Sequence, residues 1–105
     1  MHQLIFCTCP DAVTADQLAR ALITEKLAAC VNIVPGVISV YEWQGQIETA
    51  QEHLLLIKSH QDRFATIEST LKNLHPYQLP EIIAVSIENG SVDYLKWINS
   101  CVVTR

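Results

Sequence analysis

From Val31 to Lys58 the chain alternates between two sets of positions in two arms, Val31–Trp43 and Gln46–Lys58, with Gln44-Gly45 between them. Val37, Ser39, Tyr41 and Trp43 fall on one face of the first arm, and Ile38, Val40 and Glu42 on the other. Both arms are rich in β-branched or aromatic residues, so the pattern predicts two antiparallel strands joined by a tight turn. Arms of about 13 residues at about 3.3 Å each reach roughly 40 Å. A domain of this size is only about 35 Å wide. The ribbon should therefore overhang its own core, carrying Tyr41, Trp43 and Ile47 into water unless another surface covers them. A second copy of the chain is the expected cover. In the alternative, Pro35-Gly36 splits the first arm and folds it back over the core.

Before the ribbon, Leu4–Cys9 is a short apolar run, expected to be a central strand buried on both faces and ended by Pro10-Asp11. Ala15, Leu18, Ala19, Leu22 and Ile23 then follow the helical period, predicting a helix from Asp11 to about Lys26 with Asp11 or Thr14 as its cap. After the ribbon, Ser59 is expected to open a second helix faced by Phe64, Ile67, Leu71 and Leu74, which Pro76 stops at His75. Glu81–Ile87 reads as a fourth strand, buried over most of its length, and Asn89-Gly90 as a turn. Ser91 caps a last helix carrying Tyr94, Trp97, Ile98 and Cys101 on one face. The predicted class is α+β: one ferredoxin-like β-α-β-β-α-β domain with an extra C-terminal helix.

Composition narrows the function. With 105 residues, half of them apolar, the chain forms one domain with a real core. A net charge of −4 disfavours nucleic acid and anionic membrane surfaces. The RNA-binding module of this topology stacks bases on aromatics of its central strands, and here those strands offer only Phe6. No apolar run reaches membrane-span length. A strand beginning within three residues of Met1 leaves no room for a signal peptide, so cytoplasm is the expected compartment, and Cys7, Cys9, Cys30 and Cys101 are expected to be thiols. Cys30, between small apolar neighbours, is read as core.

Motifs spread over nearly the whole chain resemble one family. Cys7-Thr8-x-Pro10, Leu27-Ala-Ala-Cys-Val-Asn32, Pro35-Gly36, Ser39-x-Tyr41-x-Trp43-x-Gly45, Glu52, Lys58, His75-Pro-Tyr77-x-x-Pro80-Glu81 and Tyr94-x-x-Trp97 are similar, in order and spacing, to the CutA divalent-cation-tolerance family. The resemblance implies a tight homotrimer whose long hairpins pack across subunits. It also implies a cytosolic, non-catalytic role linked to copper or other divalent metals. The metal ligands it carries over are Cys7 and His75. Some bacterial members have two histidines before the Pro-Tyr, and here Leu74 stands in place of the first.

Copper favours thiolate and imidazole, which fits Cys7 and His75, and Cys9 is a candidate extra ligand on the same strand face. The same Cys-x-Cys also reads as core packing. A second candidate site is an interface pocket of Tyr41, Trp43, Glu52, Lys58, Tyr77 and Glu81, able to hold a small ligand or a partner protein. The same residues also read as interface structure, with Glu52 paired to Lys58 or another cation. Cys7 with His75 is also a conceivable nucleophile and base, but nothing nearby in sequence supplies an oxyanion hole or a phosphate cradle. No catalysis is expected.

Overall fold

The computed structural model describes residues 1–102. Four strands and three helices follow in the order β1 (His2–Cys9), α1 (Ala12–Thr24), β2 (Cys30–Trp43), β3 (Gln46–His60), α2 (Phe64–Leu74), β4 (Ile83–Ser86) and α3 (Val92–Cys101). The sheet order is β2-β3-β1-β4 and every pairing is antiparallel, the ferredoxin-like arrangement. No described helix is long and apolar enough to cross a membrane.

The core lies between one face of this sheet and α1 and α2. Ile5, Cys7, Leu55 and Ile57 point into it from the strands, and Leu18, Leu22, Ile67 and Leu71 from the helices; all are fully buried. Alternation along β1 sends Leu4 and Phe6 to the opposite face, where they are only half-buried. The expectation that β1 is buried on both faces is therefore corrected, because α3 covers only part of the second face. The same physics corrects the fourth strand. It spans Ile83–Ser86 rather than Glu81–Ile87, and Ile83 and Val85 are exposed.

The hairpin is as long as its alternation requires. Gln44 and Gly45 have φ of 50° and 80°, the left-handed pair of a type I′ turn that matches the strand twist. Pro35-Gly36 does not fold β2 back. It forms a bulge between Val34 and Val37, and pairing resumes to Trp43. The molecule measures 44 × 26 × 21 Å, with a radius of gyration of 14.2 Å against about 13 Å for a compact domain of this length. The ribbon's far half thus extends beyond the core.

Two boundaries differ from expectation. Ser59 does not open a helix. It stays in β3, paired with Gln3, and its hydroxyl donates to the Leu27 carbonyl at 2.6 Å in the core. His60 takes the cap instead, Nδ1 accepting from the Asp62 N–H at 3.2 Å, and a 3₁₀ turn over Gln61–Arg63 leads into α2. Helix α1 stops at Thr24, two residues early. Lys26 adopts φ 57°, and the Leu27 and Lys26 N–H groups return to the Leu22 and Ile23 carbonyls. That is a Schellman cap made without glycine. Asp11, not Thr14, caps the start, its carboxylate accepting from the Thr14 N–H at 2.8 Å.

Candidate functional site

Pro76 forces His75 out of helical geometry, and His75 takes ψ 135° at the end of α2. Its ring then reaches β1. Nε2 lies 2.8 Å from the Thr8 carbonyl, and Nδ1 accepts from the Tyr77 N–H at 3.1 Å. A carbonyl can only accept and an N–H can only donate, so the ring is the Nε2–H tautomer with both nitrogens engaged. His75 is buried, and the Tyr77 ring sits 4.7 Å from it. This short turn aims the Tyr77 hydroxyl at Glu52, donating to Oε2 at 2.7 Å.

Glu52 lies just beyond the bulge, opposite Val37. Residues opposed across strands share a face, so Glu52 stands on the face that carries Ser39, Tyr41 and Trp43. It is 6 % exposed, and among the described residues no cation lies within ion-pair distance of it or of Glu81. Lys58 is elsewhere. It is paired with Leu4 and Cys30, and its ammonium lies 5.7 Å above the Tyr94 ring. The expected Glu52–Lys58 pairing is corrected accordingly: the two are six residues apart along β3, about 20 Å at strand rise.

A cavity of about 640 Å³ opens over this region. Tyr41, Trp43, Glu52, Tyr77 and Glu81 line it, five of the six residues singled out from sequence. Lys58 does not. Thr8, Ser39, Val40, Glu42, Gln78 and Leu79 complete the wall and were not singled out. The face shared by Ser39, Tyr41 and Trp43 was a usable signal for Ser39. Nothing local marks Gln78 or Leu79. Burial, then the negative charge of Glu52, raises the Glu81 carboxyl above its ordinary range. Tyr77 is held far above the usual phenol range by burial, then by its bond to Glu52.

Cys7 and Cys9 lie on the core side of β1, both fully buried, as their shared strand face requires. Burial first, then the charges of Cys9, Glu81 and Glu52, pushes the Cys7 thiol up to about 12. Burial, then Asp11 and Glu52, raises Cys9 to about 11. The Cys7 thiol makes a weak contact to the Thr8 carbonyl at 3.8 Å, and Cys9 one to the His53 carbonyl at 3.6 Å. Both are protonated thiols at neutral pH. All four cysteines are free, and Cys30 is half-buried rather than core. Leu74 is 52 % exposed. Among the described residues no three His, Cys, Asp or Glu side chains come together to hold a metal ion.

Comparison with known proteins gives a consistent result. The family described as CutA1 divalent ion tolerance protein matches residues 3–101. The divalent-cation tolerance protein CutA of Thermus thermophilus is 45% identical over 98 residues, 93% of this chain and 95% of that protein. The CutA structure from Xylella fastidiosa superposes with a TM-score of 0.95 at 48% identity, covering 97% of this chain and 98% of that one. A CutA structure from Archaeoglobus fulgidus, described as a periplasmic divalent cation tolerance protein, superposes at 0.96 with 39% identity, covering 98% and 100%.

Proposed function

The chain belongs to the CutA1 divalent ion tolerance family, and on that premise we propose that it serves divalent-cation tolerance as a non-catalytic cytoplasmic homotrimer that binds a divalent metal weakly. Neither nucleic acid nor membrane is a partner in this reading. The observation that carries the assembly is the far half of the hairpin, where Ile38, Val40 and Ile47 are 64%, 67% and 80% exposed. Tyr41 and Trp43 are also exposed there, and so are Ile83 and Val85 on the sheet face that α3 leaves open. Apolar side chains exposed on both faces of a ribbon and on an uncovered sheet face are characteristic of an interface. Light scattering at micromolar concentration tests it. A mass near three times 11.8 kDa is expected, and a well-folded species of 11.8 kDa overturns the proposal.

For the metal, copper is the ion that suits a thiolate and an imidazole, and Cys7 and His75 are the proposed ligands, with Cys9 as a possible third. Their surroundings explain why binding would be weak. Metal at Cys7 must expel a proton that burial holds in place. Metal at His75 must displace one of its two hydrogen bonds. Copper titration of the wild type beside Cys7→Ser and His75→Ala tests the assignment: each variant should bind less, and equal affinity in all three removes it. A second reading rests on the 640 Å³ cavity lined by Ser39, Tyr41 and Trp43 of the ribbon, which fits a small ligand or a segment of a partner protein. A thermal-shift screen distinguishes the two. An organic compound that raises the melting temperature while metals do not favours the pocket.

A further inference from the structure

Two histidines face each other at the end of the sheet opposite the ribbon tip. His2 opens β1, His60 closes β3, and the register sets them directly across from one another. The Gln61 N–H donates to the Met1 carbonyl, so the next pair inward, His2 with His60, shares no backbone hydrogen bond. Such pairs bring side chains closest. Here the imidazole centroids are 5.3 Å apart and the rings nearly perpendicular, at 77°. Both rings are half-buried, and each has one nitrogen turned to an oxygen. Nε2 of His2 donates to Asn99 Oδ1 at 3.0 Å, so Nδ1 keeps its lone pair. Nδ1 of His60 lies 3.4 Å from the Asp62 carboxylate, which leaves Nε2 for an outside partner. Metal-binding imidazoles are held in this way, the far nitrogen on a carboxylate or carbonyl oxygen.

We propose that His2 and His60 together bind a divalent ion of the copper, nickel or zinc type, through Nδ1 of His2 and Nε2 of His60, with water in its remaining positions. This site is separate from Cys7 and His75 and requires no buried thiol to lose its proton. An ion about 2.0 Å from one nitrogen of each ring, at a tetrahedral angle, sets the ring centres about 5 Å apart, close to the spacing seen. Imidazole suits these ions, whereas magnesium and calcium ask for oxygen. The Met1 nitrogen also lies 3.1 Å from His60 Nε2, within reach of the same ion, but the two imidazoles make the site without it. An ion on Nε2 leaves the ring proton on Nδ1, where the Asp62 carboxylate accepts it; the Asp62 N–H, which otherwise donates to Nδ1, then turns to water. Among the described residues no cluster of three His, Cys, Asp or Glu forms, so the site is open and weaker than a closed four-ligand one. Its corner is clear of the surfaces assigned to assembly. At strand rise His60 stands about 26 Å from Glu52, where the ribbon's far half begins, and His2 lies where α3 covers the sheet, under Asn99.

The test is calorimetric titration of the intact protein with zinc, wild type beside His2→Gln, His60→Asn and the variant carrying both. His60→Asn keeps an acceptor for the Asp62 N–H, so the cap of the 3₁₀ turn stays in place. Zinc is expected to bind saturably to the wild type. Each single substitution should weaken that binding about tenfold or more, since loss of a partner one shell further out already costs that much. The variant with both should be little worse than either single one, because one ion needs both rings. In proton NMR of the imidazoles, His2 and His60 should respond together at the same zinc concentration, and Cys7→Ser and His75→Ala should leave that response unchanged. Zinc binding untouched by His2→Gln and His60→Asn overturns the proposal. Additive losses also overturn it, because they mean two histidines each holding its own ion. Zinc binding abolished by Cys7→Ser or His75→Ala overturns it in favour of that site. No saturable zinc binding by the wild type overturns it as well. Copper titration of the variant lacking both histidines reads the Cys7 and His75 assignment alone, so the two fail separately.

Discussion

Tyr77→Phe isolates the contact that joins the end of α2 to the cavity. The phenol donates to Glu52 at 2.7 Å, and no other donor to that carboxylate is found among the described residues. A hydrogen bond to a charged group contributes about 1.5–3 kcal/mol net, and removing the donor leaves the buried carboxylate's desolvation cost unrelieved. The phenyl ring keeps its packing on His75, so little apolar area is lost. Tyr77→Phe should therefore destabilise the fold by about 1.5–3 kcal/mol. Glu52→Gln should cost less. It replaces a charge-assisted bond with a neutral one, about 1 kcal/mol weaker, and also removes the charge that opposes Glu81. In the double variant the effects should couple by about 1 kcal/mol or more, because each substitution spoils the same bond. Urea denaturation at pH 7 measures this, at one fixed protein concentration so that self-association does not move the midpoint. A Tyr77→Phe effect within about 0.5 kcal/mol of zero, or strict additivity, would refute the reasoning.

Four further outcomes are expected. Cys7 and Cys9 hold their protons more tightly folded than unfolded, so their share of stability is complete below about pH 9 and is lost as pH climbs towards 11 and 12; alkaline denaturation should show this loss, and Cys7→Ala should flatten it. In the folded protein at pH 8, iodoacetamide should modify Cys30 and Cys101, both half-buried, well before Cys7 and Cys9, which mass spectrometry of peptides reads directly. Ser59→Ala leaves the Leu27 carbonyl without its 2.6 Å donor and should cost about 1–3 kcal/mol in the same urea assay, whereas Lys26→Gly, at φ 57°, should be neutral or stabilising by up to about 1 kcal/mol.

What was legible in sequence was what periodicity encodes. Alternation through Val37, Ser39, Tyr41 and Trp43 gave the ribbon and the aromatic wall of the cavity, because a strand has no choice about where alternate side chains go. His75-Pro76 gave the end of α2 to the residue. Competition between partners was not legible. Ser59 is a good cap by type, but its pairing with Gln3 and the Leu27 carbonyl held it in the sheet. Lys58 was grouped with Glu52 by charge, yet strand rise carries it away to Tyr94. The Schellman cap at Lys26 had no glycine to announce it. The engagement of the His75 Nε2 depends on Thr8, 67 residues away, and no local pattern can reveal that.

That last contact links the cavity to the metal assignment at His75. The Thr8 carbonyl accepts from His75, the His75 Nδ1 accepts from the Tyr77 N–H, and the Tyr77 hydroxyl holds Glu52 at the cavity wall. Copper on His75 has to take one ring nitrogen. Taking Nδ1 frees the Tyr77 backbone, and taking Nε2 frees the ring from β1; either way the turn that aims the phenol at Glu52 loses a support. Ligand in the cavity and metal on His75 should then oppose each other, and linkage requires the opposition to be equal in both directions. In the protein carrying His2→Gln and His60→Asn, the affinity of a cavity ligand from the thermal-shift screen with and without saturating copper, against copper affinity with and without that ligand, reads the same factor twice. Independent binding would mean that the two sites do not share this turn, and the His75 assignment would be the one to abandon.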